Sequence, residues 1–234
     1  MSTDPVLALA DLEFAYAPQQ TIISINRFDI GRGESVFLRG PSGSGKSTLL
    51  GLMGGILEPR SGRIDICGTD MTSASATGRD KLRAQHMGII FQQLNLLPYL
   101  DVIANVTLPC RFSKERAAKA MSSDGTAEAA AKRLLRELGL PEDHFSRPVS
   151  ELSVGQQQRV AVARSLIGSP DLIIADEPTS ALDTANRDRF IELLNTQRAQ
   201  TGCSLLFVSH DESLARHFNR SVELSELNQA AVAA

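Results

Sequence analysis

The hydrophobic positions of this chain fall into short uninterrupted runs that end in small or polar residues. Such runs occur at 35–39, 89–91, 172–175 and 205–208, and the residues 64–66 predict one further strand. Uninterrupted apolar runs are typical of strands that are covered on both faces, as in a parallel α/β sheet. Gly40, Asp176 and His210 lie where three of these runs end. Because ligands bind beyond the carboxyl ends of parallel strands, we expect these three residues to share one site.

Two other stretches have helical patterns. Apolar residues recur every three or four positions from Leu49 to Leu57, until Glu58 and Pro59 end the pattern. The stretch 114–139 is rich in Ala, Lys, Arg, Glu and Leu, and a break is predicted at 122–125. We therefore predict an α/β core of residues 1–93 and 166–234 with an inserted helical subdomain of residues 94–165. The Ser- and Ala-rich segment 73–78 is interpreted as a mobile loop.

Composition and charge narrow the class of protein. The 234 residues are 42% hydrophobic and 22% charged, which is ordinary for a globular domain. The formal net charge of −3 gives no basic field that would favour a nucleic-acid partner. No apolar run approaches the roughly 18 residues of a membrane helix, and acidic residues precede the first basic one, unlike in a secretory signal. We expect a cytoplasmic chain whose widely spaced Cys67, Cys110 and Cys203 form no metal motif and are free thiols.

The strongest chemical signal is a glycine-rich loop between the strand at 35–39 and the helix after it. Glycines let backbone N–H groups approach a polyphosphate, and the helix N-terminus attracts the same negative charge. Lys46 would place a positive charge on the β- and γ-phosphates, and the Ser47 hydroxyl would ligate Mg²⁺. The alternative is a chance Gly- and Ser-rich loop, which would not need the flanking strand and helix. The residues that fit G-x-x-x-x-G-K-[ST] are Gly40, Pro41, Ser42, Gly43, Ser44, Gly45, Lys46 and Ser47.

Two carboxylates follow the strand at 172–175. Asp176 is suited to the Mg²⁺ shell, because a hard cation prefers oxygen ligands. Glu177 could orient or deprotonate an attacking water molecule. Taken alone, an Asp-Glu pair after a strand is more often a helix cap or a turn. Beside a phosphate-binding loop, we interpret the pair as functional.

A second helix N-terminus also has the form of an anion site. Ser153 and Gln156 fit a capping box, which is the purely structural interpretation. A Ser hydroxyl and the unobstructed Gly155 at a helix start can equally bind a phosphate. Since the first loop already holds one nucleotide, a second phosphate site needs another ligand. The simplest such ligand is the γ-phosphate of ATP bound by another copy of the chain.

These motifs, in this order, resemble those of the ATP-binding subunits of ATP-binding cassette (ABC) transporters. The resemblance implies a P-loop NTPase core, with a RecA-like parallel sheet, an N-terminal antiparallel β-layer and an inserted α-helical subdomain. It implies ATP and Mg²⁺ as ligands, Glu177 as the catalytic base and His210 as the switch histidine. It also implies roles in nucleotide or Mg²⁺ contact for further residues: Tyr16 stacking on adenine, Thr48 in the Walker A loop, Gln92 in the Q-loop near Mg²⁺, and Asp183 in the D-loop.

The signature motif departs from the family at one position. Leu-Ser-Gly-Gly-Gln is common in the family, whereas Val154 replaces the first glycine here. The phosphate contact in the family is made through the serine and the second glycine, which remain as Ser153 and Gly155. A β-branched valine disfavours positive φ, so we predict an ordinary backbone conformation at position 154. A weakened or degenerate site is the alternative.

The resemblance also implies partners and a branch of the family. Two copies would enclose two Mg·ATP, and an integral membrane permease would hold the dimer at the inner face of the membrane. A periplasmic adaptor or binding protein is a further partner that it allows. Residues 94–100 are predicted to form the permease groove, and core packing of the helical subdomain is the alternative for this segment. The phrase around Phe91-Gln92-Gln93 is similar to the lipoprotein-releasing and macrolide-efflux group (LolD- and MacB-like). The alternative is an ABC-type ATPase of DNA repair, chromosome structuring or cell division. Lys46 and Ser153 lie only 107 positions apart, which leaves no room for the long coiled coils of such ATPases.

Overall fold

The chain folds around two β-sheets that lie on either side of a shared apolar layer. The structure, a computed structural model, describes residues 4–17, 20–180, 182 and 184–230. The strands are β1 Leu7–Phe14, β2 Ile23–Ile30, β3 Ser35–Arg39, β4 Ser61–Ile66, β5 Thr69–Asp70, β6 Met87–Ile90, β7 Leu172–Asp176, β8 Ser204–Ser209 and β9 Arg220–Glu223. The helices are α1 Lys46–Met53, α2 Ala76–His86, α3 Val102–Phe112, α4 Lys114–Asp124, α5 Ala127–Glu137, α6 Val154–Leu166, α7 Thr184–Thr201 and α8 Leu224–Leu227. Short 3-10 turns occupy Glu142–His144, Val149–Glu151 and Glu212–His217.

The parallel sheet has the strand order β6-β7-β8-β3-β9. Its central strands are buried along their length, which confirms the interpretation of the uninterrupted apolar runs. Successive residues point to opposite faces of a strand, so neighbours in one run enter different cores. Phe37 packs with the helices on one face, whereas Val36 and Leu38 pack toward the antiparallel sheet on the other.

The antiparallel sheet has the order β2-β1-β4-β5 and includes the predicted strand at 64–66. β1 pairs with both β2 and β4, and its register shifts between Ala10 and Glu13. Together the two sheets and the helical block have the predicted α/β fold class, with a P-loop core, an antiparallel β-layer and a helical region. The limits at 93/94 and 165/166 between core and subdomain stay a prediction.

Two local expectations were wrong. The segment 73–78 was expected to be a mobile loop, but Ala76, Thr77 and Gly78 begin α2, whose N-terminus is capped by the side chain of Ser75. None of the residues of α2 is buried, so the helix carries no apolar periodicity that the sequence could show. The predicted break between two helices is present, but it lies at Gly125 and Thr126 and not at 122–125, since α4 continues to Asp124 and α5 begins at Ala127.

The described part of the chain contains no helix with the length and apolar character that crossing a bilayer requires. Cys67, Cys110 and Cys203 are all free, as expected.

Candidate nucleotide site

The glycine-rich loop connects β3 to α1 at the carboxyl edge of the parallel sheet. Gly43 and Gly45 have φ values of 79° and 98°, a backbone region that glycine enters without steric cost. A Cβ atom at Gly43 would meet nothing within 4 Å, so the loop leaves open space for a ligand on that side. α1 begins at Lys46, whose Nζ donates hydrogen bonds to the carbonyl oxygens of Gly40 at 2.7 Å and Pro41 at 3.0 Å. The lysine is thus folded back over its own loop.

The polar atoms of the loop are suited to a phosphate ligand. The Ser44 Oγ atom is buried and has no hydrogen-bond partner among the described residues. A buried polar atom without a partner costs free energy that an incoming ligand can recover. Ser47 is exposed at the start of α1, where a hydroxyl can reach a ligand outside the helix. The residues present therefore fit a polyphosphate with its cation.

Tyr16 lies beside this loop, as the adenine prediction requires. Its hydroxyl is 3.3 Å from the Thr48 Oγ1 atom, and its ring packs edge-on against Phe14 at 4.9 Å between centroids. The side chain is nevertheless 68% exposed, so one face of the ring is open to solvent. An exposed aromatic face held beside a phosphate loop is able to stack on a base.

The carboxylate of Glu177 brings three predicted residues together. Its Oε1 atom is 3.7 Å from the Lys46 Nζ atom, and its Oε2 atom is 3.2 Å from the Nδ1 atom of His210. Glu177 has φ of 42°, a left-handed conformation that is uncommon for glutamate, and its N–H donates to the carbonyl of Val208 at 2.9 Å. Backbone strain of this kind clusters at functional sites. The sequence could not show it, since nothing about the residue type favours positive φ.

Asp176 ends β7 next to this cluster and is half-buried. Burial raises the pKa of Asp176, the negative charge of Glu177 raises it further, and Lys46 partly offsets both effects. A bound divalent cation would reverse this shift, because it favours the ionised carboxylate. The electrostatics of this edge therefore favour a cation close to Asp176.

Two other predicted residues, Gln92 and Asp183, are not seen in close contact with this cluster in the described part of the chain. Gln92 follows β6, and its Nε2 atom is 3.5 Å from the Ser180 hydroxyl, a long contact that leaves the side chain exposed. Asp183 lies outside the described residues, so its D-loop role stays a prediction.

The N-terminus of α6 is built as the capping-box prediction requires. The Ser153 hydroxyl accepts from the Gln156 N–H, and the Gln156 Oε1 atom accepts from the Ser153 N–H at 2.9 Å. Val154 is the first helical residue and is not among the positive-φ residues, which confirms the ordinary backbone predicted for it. A Cβ atom at Gly155 would meet nothing within 4 Å. The helix start is therefore exposed, and its backbone can be approached closely.

The buried arginines that hold α6 in place were not predicted from the sequence. Arg164 donates hydrogen bonds to the carbonyls of Leu94 and Asn95, at 2.5 and 2.6 Å, just after the segment that contains Gln92. Arg116 is 2% exposed and donates to the carbonyls of Met87, Ser165 and Ile167. Through these bonds the two arginines connect α6, the helix that begins at the signature motif, to α4 and to β6 with the segment after it. In the sequence, both arginines lie within helical segments, as many surface arginines do. Their burial therefore has no signal in the sequence.

The fold and this edge of the sheet define a P-loop nucleotide-binding cassette. The chain matches the family model described as ABC transporter over residues 24–180. It is 41% identical to the lipoprotein-releasing system ATP-binding protein LolD of Novosphingobium aromaticivorans over 228 residues, which cover 96% of this chain and 98% of that protein.

Solved structures agree with this match. A dimeric post-hydrolysis state of the ATP-binding cassette MJ0796, bound to ADP and Pi, has a TM-score of 0.78 at 32% identity, with 93% of each chain covered. A second dimeric structure of MJ0796, a bacterial ABC transporter cassette, has a TM-score of 0.77 at the same identity and coverage. The cbiO1 protein of Clostridium perfringens, part of the cbiONQ transporter complex, has a TM-score of 0.74 at 27% identity, covering 94% of this chain and 84% of that one.

The chain therefore belongs to the ABC transporter family, as an ATP-binding subunit with ATPase activity. The resemblance drawn from its motifs is confirmed. The comparisons give no support to the alternative of a DNA-repair, chromosome-structuring or cell-division ATPase. The roles of individual site residues stay predictions.

Proposed function

We propose that the cluster of Lys46, Glu177 and His210 is the hydrolytic centre for Mg·ATP. The contacts of both Glu177 carboxylate oxygens, with Lys46 on one side and His210 on the other, are the observation that carries this proposal. ATP entering the loop would draw the Lys46 ammonium from the loop carbonyls onto the β- and γ-phosphates, because a charge-assisted bond to phosphate is stronger. Glu177 would then be free to accept the proton of the attacking water, and His210 would contact the γ-phosphate.

Asp176, Ser47 and Gln92 are the residues that would hold Mg²⁺. When bound, the cation neutralises charge that develops on the phosphates during transfer. The raised pKa of Asp176 supports this assignment, since the carboxylate has no cationic partner strong enough to offset its burial. Removal of the cation with EDTA is expected to stop hydrolysis, and phosphate release measured with and without Mg²⁺ tests this directly.

A second copy of the chain would complete each centre through Ser153, Gly155 and Gln156. The support is the exposed start of α6, whose Val154 is 55% exposed, together with the dimeric form of the related MJ0796 cassette. By the resemblance, Asp183 would communicate across this dimer. A loop that binds one end of the triphosphate and a helix that binds the other tie the two copies together only while the γ-phosphate is present.

An integral membrane permease is the partner that would use this cycle. A groove of about 890 Å³ lies between α2, β6 and α3, and exposed Phe112 stands at its edge. Basic residues outnumber acidic ones along it, so it is suited to a short helix with an apolar face and a carboxylate. Residues 94–100 do not line this groove, and Leu94 is buried in the core, so the expectation that they receive the permease stays a separate prediction.

The substrate class of the proposed system is a lipoprotein released from the membrane. The support is the 41% identity to the lipoprotein-releasing LolD over nearly the whole of both chains. The same identity supports the proposal that the permease holds the chain at the inner face of the membrane, with a periplasmic adaptor or binding protein as a further candidate partner.

The permease proposal is tested with membranes from the cell that produces the chain. Phe112→Asp is expected to reduce membrane association at least about tenfold, because a buried charge without a partner is costly, and to leave ATP binding intact. Met121→Asp, another exposed apolar residue at 53% exposure but outside the groove, is the matched control. Equal membrane association of Phe112→Asp and the unaltered chain would contradict a permease contact at this groove.

A further inference from the structure

A cysteine, a histidine and an aspartate meet at the edge of the parallel sheet opposite the nucleotide site. Cys67, His86 and Asp171 each offer one ligand atom, and these atoms lie within 4.8 Å of one another. The His86 Nδ1 atom is 2.8 Å from the Asp171 Oδ2 atom, and the Cys67 Sγ atom lies within 4.8 Å of the ligand atoms of both residues. All three residues are half-buried, so the cluster is sheltered and still reachable from solvent.

The backbone around the cluster is rigid. His86 and Asp171 directly precede the Met87–Leu172 pair of the β6–β7 ladder, and the Asp171 N–H donates to the His86 carbonyl at 3.0 Å. Cys67 is in the two-residue turn between β4 and β5, and its N–H donates to the Val6 carbonyl at 2.9 Å. The three side chains therefore come from fixed positions on both sheets, as a preformed ligand site needs.

Cysteine is an uncommon residue in a tight hairpin turn such as the one that contains Cys67. Cys67 and Gly68 have φ values of 50° and 79°, the positive values that a type I′ hairpin turn needs. Asn, Asp and Gly are the residues that favour such a turn, whereas cysteine gains nothing from it. A cysteine at this position therefore places a sulfur atom beside the imidazole, although Asn, Asp or Gly would favour the turn more.

We propose that Cys67, His86 and Asp171 bind a divalent cation of the zinc class. Thiolate sulfur, imidazole nitrogen and carboxylate oxygen are the ligands that Zn²⁺ takes in proteins, and a site with three protein ligands keeps a fourth position for water. Bond lengths of about 2.0–2.3 Å place tetrahedral ligand atoms roughly 3.3–3.8 Å apart, so small side-chain rotations that widen the 2.8 Å contact of His86 with Asp171 and draw in the Cys67 Sγ atom would form the site. Arg32 is 3.5 Å from the Asp171 Oδ1 atom, and the Oδ2 atom, which contacts the His86 Nδ1 atom at 2.8 Å, would exchange that contact for the cation.

The site is independent of ATP. The nucleotide loop follows the carboxyl end of β3, whereas His86 and Asp171 precede the amino ends of β6 and β7. Strands of this length separate the two edges by roughly 15 Å. Binding of the cation would join the β4–β5 turn of the antiparallel sheet to the start of the parallel sheet.

The experiment is a Zn²⁺ titration of the full chain, without an affinity tag, after EDTA treatment and in the absence of nucleotide. At a pH of about 8.5 protons still compete with the cation at His86, because the hydrogen bond with Asp171 raises the pKa of His86 to about 9, so weaker binding is expected at lower pH. We expect one Zn²⁺ per chain by calorimetry, and a thiolate-to-metal absorption band when Co²⁺ replaces Zn²⁺. Excess Zn²⁺ is expected to raise Tm by roughly 5 °C.

Cys67→Gly is the decisive variant, because glycine favours the turn and the chain keeps its fold. It is expected to lose the Co²⁺ band, the Tm rise and at least about 100-fold in Zn²⁺ affinity. Cys110→Ser, another half-buried cysteine outside the cluster, is the matched control and is expected to bind as the unaltered chain does. The proposal is overturned by absent 1:1 binding, by a missing sulfur band, by unchanged binding in Cys67→Gly, or by loss in Cys110→Ser. Lys46→Ala is expected to bind Zn²⁺ normally, so failure of the ATP proposal would not affect this result.

Discussion

Two helix N-termini of this chain are suited to phosphate, and they differ in how much of their surroundings the chain itself supplies. At α1, the Lys46 side chain is buried and lies within reach of Glu177 and two loop carbonyls. At α6, the Ser153 hydroxyl hydrogen-bonds only with its own helix among the described residues, and a Cβ atom at Gly155 would meet none of their atoms within 4 Å. One site is enclosed by the fold and the other is open.

The difference shows which half of the reaction centre needs a second molecule. A helix N-terminus attracts anions wherever it is, so the local motif cannot distinguish the two sites. What distinguishes them is the acidic and basic residues brought by neighbouring strands. Glu177 and His210 reach α1 because β7, β8 and β3 are adjacent in the sheet, whereas no catalytic group of the same chain was predicted beside α6.

The largest expected effect is at the enclosed site. Glu177→Gln keeps the shape of the side chain but removes the base, so hydrolysis is expected to fall about 10²–10⁴-fold. ATP binding is expected to persist, because Lys46 and the loop are unchanged. Phosphate release and nucleotide binding measured side by side check this, and Glu192→Gln on the exposed face of α7 is the control. A normal rate of hydrolysis would remove Glu177 as the base.

Loss of the lysine is expected to affect binding itself. Lys46→Ala removes a charged donor to the phosphates, which predicts about 10–100-fold weaker ATP affinity. Lys132→Ala, whose side chain pairs with Glu128 on the surface of α5, is the matched control. Fluorescent-nucleotide titration gives the affinity, and an unchanged value for Lys46→Ala would contradict the phosphate-loop assignment.

At the N-terminus of α6, one substitution is expected to weaken dimerisation without lowering the stability of the single chain. Gly155→Asp adds an acidic residue to the first turn of α6, which favours the helix slightly and repels a phosphate. We expect unchanged Tm of the single chain and at least about tenfold weaker ATP-dependent dimerisation, since like charges brought together at an interface are costly. Thr77→Asp occupies the same helical position in α2 and is expected to change neither property. Equal dimerisation of both variants would remove the phosphate role of Gly155.

The smallest expected effect concerns the cap. Ser153→Ala and Ser75→Ala each remove a side-chain cap from a helix, so both are expected to lose about 1 kcal/mol of unfolding free energy. Only Ser153→Ala is expected to weaken ATP-dependent dimerisation, several-fold. Urea unfolding and light scattering on the two variants distinguish a cap from a ligand contact. Equal dimerisation in both would make Ser153 a cap alone.

The sequence predicted the parts that are governed by local pattern. Uninterrupted apolar runs located β7 and β8, and the glycine-rich loop located the start of α1. α2 was missed because a helix without buried residues has no periodicity, and its polar contacts, such as Arg83 with the Gly54 carbonyl, are not encoded by spacing.

Non-local features could not be predicted for a different reason. Cys67, His86 and Asp171 are far apart in the chain and meet only because the β4–β5 turn of one sheet lies next to the starts of β6 and β7 in the other. Arg116 resembles a surface residue in its helical pattern, yet it is buried among carbonyl oxygens, and that burial lowers its pKa to about 10. Such contacts depend on the packing of whole elements, which no single motif specifies.

The most direct test is the molar mass of the Glu177→Gln chain in Mg·ATP, measured by light scattering beside the Glu177→Gln/Gly155→Asp double variant. We predict twice the mass of one chain for the first and the mass of one chain for the second, with ADP giving single chains in both. A single-chain mass for Glu177→Gln in ATP, together with full ATP turnover by Gly155→Asp alone, would contradict a reaction centre shared between two copies.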